Sequence, residues 1–239
     1  GNTVQNILPL FKSNNIGGYN WGLVAGRTQT YIHWGSKKGT PTPAIWQHDL
    51  IREDGTPYDI RELTLFRKLV FGENIIQAMK QYGDFKALVS IAETKLETPS
   101  IKWRYTEKEP SADWTKLEFN DAAWQTGVAP FGMAESKIQR SPKTTWNSKE
   151  IWLRHEFELD ESALKTIKHL DILIHFDESP TIYLNGIEVK NLTGYSAEYQ
   201  SIRLNDDTTK LLNKGKNIIS IKCSQTTGGQ FIDAGLYAW

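Results

Sequence analysis

The stretch Ile151-Trp152-Leu153-Arg154-His155-Glu156-Phe157-Glu158-Leu159 alternates apolar and polar side chains along most of its length. One face of an extended chain would carry Ile151, Leu153, Phe157 and Leu159, and the other would carry Trp152, Arg154, Glu156 and Glu158. Because successive side chains of a β-strand point to opposite faces, this period of two predicts a strand with one buried face.

The same period recurs in the residues that follow this strand. It runs through Leu170, Ile172, Ile174 and Phe176, then Ile182 and Leu184, then Ile219, Ile221 and Cys223, and finally Ile232, Ala234 and Leu236. Asn185-Gly186 predicts a tight hairpin turn, because both residues tolerate positive φ. Several short alternating strands between turn residues predict a mainly β fold, an antiparallel β-sandwich or jelly roll.

The first hundred residues show a different, mixed α/β pattern. Apolar spacing predicts one helix over Val4–Lys12 and another over Ile60–Val70, with Asp59 as the N-cap of the second. Between them, the sequence predicts a short strand over Tyr19–Val24. The segment 74–90 fits either a helix that ends at Tyr82 or a later strand.

A linker at Lys95–Ser100 separates these two patterns. We therefore predict two domains, a small α/β segment over 1–98 and a β-sandwich over 99–239. No internal repeat or low-complexity tract interrupts either part.

Composition limits the functions that this chain can have. The 239 residues carry 28 Lys and Arg against 28 Asp and Glu, and this zero net charge argues against general binding of nucleic acid, which rests on a basic surface. No run of 18 apolar residues exists, which predicts no membrane partner. The only cysteine, Cys223, alternates with core residues and is predicted to be an inert buried thiol. The chain opens without Met or a signal peptide, so we expect a trimmed chain.

The N-terminal motifs resemble the end of a bacterial (β/α)8-barrel glycoside hydrolase, a TIM-barrel enzyme. Asn20-Trp21-Gly22-Leu23-Val24, the Gly26–Thr30 stretch and Trp34-Gly35-Ser36 are similar to the last strand and its extension in such enzymes. Ile45–Asp49, Asp54–Asp59 and the helix after them resemble the segment that closes the barrel. This resemblance covers roughly residues 2–72.

The rest of the chain resembles the galactose-binding-like sandwich modules. The motifs are Asp113-Trp114, Phe119–Trp124, Gly127 with Phe131-Gly132, Ile151–Arg154, Tyr183–Gly186, Gly215–Asn217, and Gln225–Gln230 with Asp233. Such modules accompany glycoside hydrolases that act on plant or host glycans. The resemblance implies a glycan partner and a protein that is secreted, periplasmic or on the outer surface of a bacterium.

The resemblance also implies that this chain is not catalytic on its own. Retaining glycosidases use two carboxylates about 5–5.5 Å apart. In the resembled barrels these residues follow the fourth and seventh strands, whereas the matching part here starts at the helix before the eighth. We therefore expect both carboxylates upstream of residue 1, in a preceding catalytic barrel, and assign no catalytic or metal-binding residue. No cofactor is expected, although galactose-binding-like modules often carry structural calcium, for which Asp177-Glu178 is the nearest candidate.

Candidate carbohydrate-binding residues lie in two polar loops and on two further aromatic side chains. They are Trp146 and Asn147, then Gln225, Thr226 and Gln230, and the aromatic residues Trp152 and Trp21. A tryptophan beside amide side chains suits sugar recognition, which combines stacking with planar hydrogen bonding. Each residue also has a structural interpretation, as core packing or as part of a turn.

Three hypotheses remain open from the sequence. The first is a carbohydrate-binding accessory region of a polysaccharide-degrading glycoside hydrolase. The second is a structural domain that braces the hydrolase, and the third is a hydrolase that retains activity as a homo-oligomer.

Overall fold

The structure is a computed structural model that describes residues 3–26, 30–41, 46–72, 86–92, 101–133 and 142–239. The chain divides into two compact units, residues 1–85 and residues 86–239. The division falls before the predicted boundary at 98–99, because the strand that starts at Lys86 pairs within the second unit. None of the helices in the described ranges is long and apolar enough to span a membrane.

The first unit contains two helices, α1 (Val4–Ser13) and α2 (Ile60–Phe71), as predicted. The Asp59 carboxylate accepts a hydrogen bond from the Arg61 backbone N–H at 2.8 Å, which confirms the predicted N-cap. The predicted strand over Tyr19–Val24 was wrong, because among the described residues this segment pairs only through a single parallel bridge from Val24 to Ile51. The ambiguous segment 74–90 lies largely outside the described residues, and its described end is a strand.

The second unit is a β-sandwich, which confirms the predicted mainly β fold. Its described strands are β1 (Lys86–Val89), β2 (Lys102–Thr106), β3 (Gln125–Val128), β4 (Phe131–Gly132), β5 (Thr144–Thr145), β6 (Glu150–Leu159), β7 (Leu170–Asp177), β8 (Pro180–Leu184), β9 (Ile187–Asn191), β10 (Gln200–Arg203), β11 (Gly215–Ser224) and β12 (Phe231–Ala238). A short helix, α3 (Glu161–Thr166), and a 3-10 helix (Asp206–Leu211) connect strands.

Two six-stranded sheets form the layers of the sandwich. One has the order β10-β7-β12-β4-β5, with β1 also paired to β12, and the other has the order β3-β2-β6-β11-β8-β9. The described pairings are antiparallel except for β4 with β5, which is parallel. The longest register joins β6 to β11, from Leu159 opposite Gly215 to Glu150 opposite Ser224.

The core lies between the sheets and uses the faces that the period of two predicted. Ile151 and Leu153 of β6 and Ile172 and Ile174 of β7 are buried in it. Each such side chain stabilises the fold by about 1.5–3 kcal/mol relative to exposure. The predicted hairpin turn is present between β8 and β9, with φ of 48° at Asn185 and 90° at Gly186.

The other face of β6 is less open than its alternation suggested. Arg154 is only 1% exposed, because residues 113–124 fold over this face. Its guanidinium donates to the Asp121 carboxylate at 2.9 Å and to the Lys116 carbonyl at 3.1 Å. The covering segment packs through its own aromatic side chains, including Trp114 and Trp124, whose ring centroids are 6.3 Å apart.

Candidate functional site

Several loops meet at one end of the sandwich. Because β6 and β11 are antiparallel, the residues before Glu150 and after Ser224 lie at the same end, and β7 ends there with Asp177 opposite Phe231 of β12. We call the residues 146–149, 177–179, 193–196 and 225–230 the loop end. These loops are fixed by strands on both sheets, which is a common way to position binding residues.

The two loops that the sequence singled out are in direct contact. The Gln225 backbone N–H donates to the Lys149 carbonyl at 2.7 Å. The Gln230 side-chain amide donates to the Ser148 carbonyl. Glu107, after β2, accepts a hydrogen bond from the Ser148 N–H at 3.1 Å. The structure therefore brings the 146–149 and 225–230 loops together.

Trp146 does not present its ring to a ligand. The side chain is 0% exposed and belongs to the core, and its indole N–H donates to the Ser148 hydroxyl at 3.1 Å. Thr144 and Thr145 form β5, so Trp146 continues the alternation of a strand and turns inward. The prediction of a stacking tryptophan at this position is therefore wrong.

The side chains of Trp152 and Gln230 are also buried and make contacts within the sandwich. Trp152 is 4% exposed, and the ammonium of Lys222, on the neighbouring strand, lies 5.4 Å from its ring centroid. Gln230 is 2% exposed, and its amide holds the Ser148 carbonyl. Neither residue has a side chain free for a sugar, which corrects both predictions in favour of their structural interpretation.

Two of the three remaining predicted residues of the loop end keep accessible side chains. Asn147 and Thr226 are exposed. The Thr226 hydroxyl donates to the Glu178 carboxylate, and the Thr227 N–H approaches the same carboxylate at 3.4 Å. The Gln225 amide donates to the Gly228 carbonyl at 3.2 Å, and its Oε1 atom is buried without a hydrogen-bond partner among the described residues, so the predicted contact of this oxygen with a sugar is wrong.

The structure adds Tyr195, a residue that sequence reasoning missed. Its side chain is 72% exposed, and its backbone forms an antiparallel bridge with Asp177. The adjacent Gly194 carbonyl accepts a hydrogen bond from the Ser179 N–H at 3.1 Å, which ties this loop to the end of β7. The available signal was an aromatic residue in the polar stretch Thr193–Ala197, but only the strand order places it beside Asp177.

Two neighbouring carboxyl groups give the loop end a negative character. Burial raises the pKa of Asp177, and the charge of Glu178 raises it further. Burial also raises the pKa of the Cys223 thiol, so this group stays neutral and donates to the Glu178 carbonyl at 2.7 Å. Cys223 is 0% exposed, which confirms its predicted place in the core.

These carboxyl groups do not form a calcium site. Calcium takes about six to eight oxygen ligands. Within the described ranges, no group of three or more His, Cys, Asp or Glu side chains could hold a metal ion. The Glu178 carboxylate already accepts hydrogen bonds from Thr226 and Thr227. The described residues around Asp177 and Glu178 therefore do not fit the calcium ion that the resemblance suggested.

In the first unit, Trp21 has an exposed ring on a fixed backbone. Its side chain is 75% exposed. The preceding Asn20 amide donates to the His48 carbonyl at 2.8 Å, and the Leu23 carbonyl accepts from the Leu50 N–H at 3.1 Å. The ring of Trp21 is thus accessible, and its role as a stacking platform stays a prediction.

Comparison with known proteins finds similarity to parts of glycoside hydrolases. A β-glucuronidase from glycoside hydrolase family 2 is 15% identical, with a TM-score of 0.43, and the match covers 58% of this chain and 17% of that chain. β-Glucuronidase 2 of Bacteroides uniformis is 18% identical, with a TM-score of 0.44 and coverages of 65% and 18%. A β-glycosidase from Bacteroides vulgatus is 16% identical, with a TM-score of 0.42 and coverages of 64% and 20%.

The chain thus spans about a fifth of the length of the enzymes that it matches. No protein-family model and no curated protein matches it.

Proposed function

We propose that this chain is a carbohydrate-binding accessory region of a glycoside hydrolase. The observation that carries the proposal is the exposed ring of Tyr195 beside fixed polar groups at the loop end. Sugar sites pair an aromatic face, which covers the C–H face of a pyranose, with a few oriented hydrogen-bonding groups. The loop end offers both in residues that strands and hydrogen bonds hold in place.

In this proposal Tyr195 replaces Trp146 as the stacking residue. The Asn147 amide and the carboxylate of Asp177 are the polar groups available to sugar hydroxyls. Trp21 serves as a second platform within the first unit. The link to a hydrolase rests on the motifs of residues 2–72, and it implies a catalytic barrel outside this chain and a glycan outside the cell.

Isothermal titration against xylan, galactan and mannan oligosaccharides tests the proposal. Tyr195→Ala should weaken binding on the order of tenfold, because a stacked ring contributes about 1–3 kcal/mol. Phe71→Ala is the control, since this side chain is 66% exposed but lies on α2. Trp34→Ala is the matching control for Trp21→Ala, because Trp34 is 83% exposed in the same unit.

The same titrations separate the competing functions. A wild-type protein that binds none of the oligosaccharides would favour the bracing role, which the buried Trp146, Trp152 and Gln230 also suit. A panel of chromogenic glycosides tests for hydrolysis. Turnover that disappears when one carboxylate of this chain is replaced would make the chain an enzyme and overturn the proposal.

A further inference from the structure

The Asp177 carboxyl group lies beside the proposed stacking ring. Asp177 ends β7, and its backbone bridge to Tyr195 is antiparallel. Residues directly opposite each other in such a pair have their Cβ atoms about 4.5–5.5 Å apart on the same face. A sugar ring seated on Tyr195 would therefore come within reach of the Asp177 carboxyl group.

The Asp177 carboxyl group accepts no hydrogen bond from the described residues, unlike the Glu178 carboxylate. The Glu178 carboxylate accepts hydrogen bonds from Thr226 and Thr227. Among the described residues, no donor or cation contacts the carboxylate of Asp177, which is half-buried. A half-buried acceptor without a donor gains most from a ligand that supplies one.

Among the residues that the structure describes, no cation balances the charge at this position. Glu178 is the charged neighbour that acts on Asp177, and both this charge and burial raise the pKa of Asp177. The Lys222 ammonium is engaged by the Glu150 carboxylate at 2.6 Å. Lys149 is exposed at the loop end but does not lower the pKa of Asp177.

We infer that Asp177 makes the loop end selective for neutral glycans and against glycans that carry uronic acids. This inference rests on the proposed carbohydrate site. A hydroxyl of a neutral sugar would donate to the Asp177 carboxylate and satisfy it. A sugar carboxylate would bring a like charge to a half-buried position where no described cation compensates, and it can donate no hydrogen bond. Two such charges about 5 Å apart should weaken binding roughly 5- to 20-fold.

The experiment compares glucuronoxylan oligosaccharides with the same preparation after chemical reduction of its carboxyl groups, alongside unsubstituted xylan oligosaccharides. The reduced and unreduced forms differ in charge and not in backbone. Asp177→Asn removes the charge and keeps an acceptor oxygen. Asp207→Asn is the matched control, because Asp207 is 85% exposed on the 3-10 helix that packs beside the opposite end of β7. Thermal midpoints establish that both variants are folded.

Wild type and Asp207→Asn should bind the reduced and unsubstituted oligosaccharides about tenfold more tightly than the unreduced ones. Asp177→Asn should bind both forms with nearly equal affinity, and added salt should narrow the preference of the wild type. Equal wild-type affinity for the two forms, or a preference that survives in Asp177→Asn, would overturn the inference while leaving the carbohydrate site standing. Failure of the wild type to bind any oligosaccharide would overturn the proposed function and this inference with it.

Discussion

At the scale of single residues, the sandwich buries a charge by surrounding it with acceptors. The Arg154 guanidinium donates to the Asp121 carboxylate and to the carbonyls of Trp114 and Lys116, and its Cζ atom lies 5.1 Å from the Phe119 ring centroid. A buried charge is tolerated when every donor is satisfied in this way. The polar appearance of a residue therefore did not determine its exposure.

For Trp146, too, the polarity of the local sequence did not determine the exposure of the side chain. Trp146 sits among Thr145 and Asn147, so its sequence neighbours suggested an exposed loop. The parallel pairing of β5 with β4 turns it into the core instead. That pairing joins Phe131 to Thr144, and the immediate neighbours of Trp146 carry no information about it. The exposure of Tyr195 could not be predicted from the local sequence either, because it depends on how the loop after β9 returns to β7.

Trp146→Ala is expected to act on stability. Loss of a large aromatic side chain from a packed core costs about 3–5 kcal/mol. Chemical denaturation should therefore show a much lower free energy of unfolding. Glycan affinity, measured on the folded fraction at low temperature, should be unchanged. A variant of full stability that has lost glycan binding would restore Trp146 to the site.

Glu62 should make the stability of the first unit depend on pH. Burial raises the pKa of this carboxyl from 4.5 to about 8, and the Asp59 charge adds to the effect. The Oε2 atom is buried without a hydrogen-bond partner among the described residues. In the folded protein the group is protonated near neutral pH, whereas the unfolded chain ionises it, so stability falls as pH rises from about 4.5 to about 8.

Glu62→Gln should remove this dependence. The variant is expected to exceed the wild type by about 1–3 kcal/mol near pH 9 and to match it near pH 4. Urea unfolding followed through the NMR signals of α2 measures the difference in this unit. A constant difference between the two proteins across that range would show that Glu62 titrates normally.

At the scale of secondary-structure elements, apolar periodicity and the residue types at turns and helix ends predicted most of the strands and helices. The strands β6, β7, β11 and β12 match their alternating runs, because each has one face in a large core. The helix α2 begins at its predicted N-cap and ends at Gly72, whose φ is 72°. Tyr19–Val24 failed as a strand because alternation alone does not supply a partner, and only Val24 bridges to another segment in the described residues.

The turn between β8 and β9 offers a graded test of backbone conformation. Gly186 has φ of 90°, and a Cβ atom there would meet Lys116 at an ordinary contact distance of 3.6 Å. Substitution therefore strains the backbone without a steric clash. Gly186→Ala should destabilise the sandwich by about 1–2 kcal/mol, and Gly186→Asn by less, since Asn tolerates positive φ better. Thermal unfolding of the three proteins should give that order, and equal midpoints would mean that the turn relaxes freely.

At the scale of the whole molecule, the two units differ in how well they bury their apolar side chains. The described core cluster lies entirely within residues 89–238. Eight of the ten large apolar side chains that stay exposed in the described ranges belong to the first unit, and no residue of α1 is buried. We therefore expect residues 1–85 not to fold alone, because their apolar surface needs a partner.

Fragments test both this expectation and the observed boundary. Residues 86–239 should unfold cooperatively and be more stable than residues 99–239. The longer fragment keeps the pairing of β1 with β12. It also keeps the hydrogen bonds from the Ile91 N–H to the Tyr237 hydroxyl at 3.2 Å and from the Ala92 N–H to the Asp233 carboxylate at 2.9 Å. Residues 1–85 should show no cooperative melt as a monomer. Equal stability of the two sandwich fragments would mean that the strand before the predicted linker contributes nothing.

Carbohydrate binding at the loop end is tested most directly by hydrogen–deuterium exchange of the full chain with and without saturating neutral oligosaccharide. Protection should appear in the loop-end segments 177–179, 193–196 and 225–230, and it should disappear in Tyr195→Ala. The 3-10 helix Asp206–Leu211 serves as an internal reference that should not change. Binding that protects none of the loop-end segments, or an exchange pattern identical with and without every glycan tested, would contradict the assignment of this site.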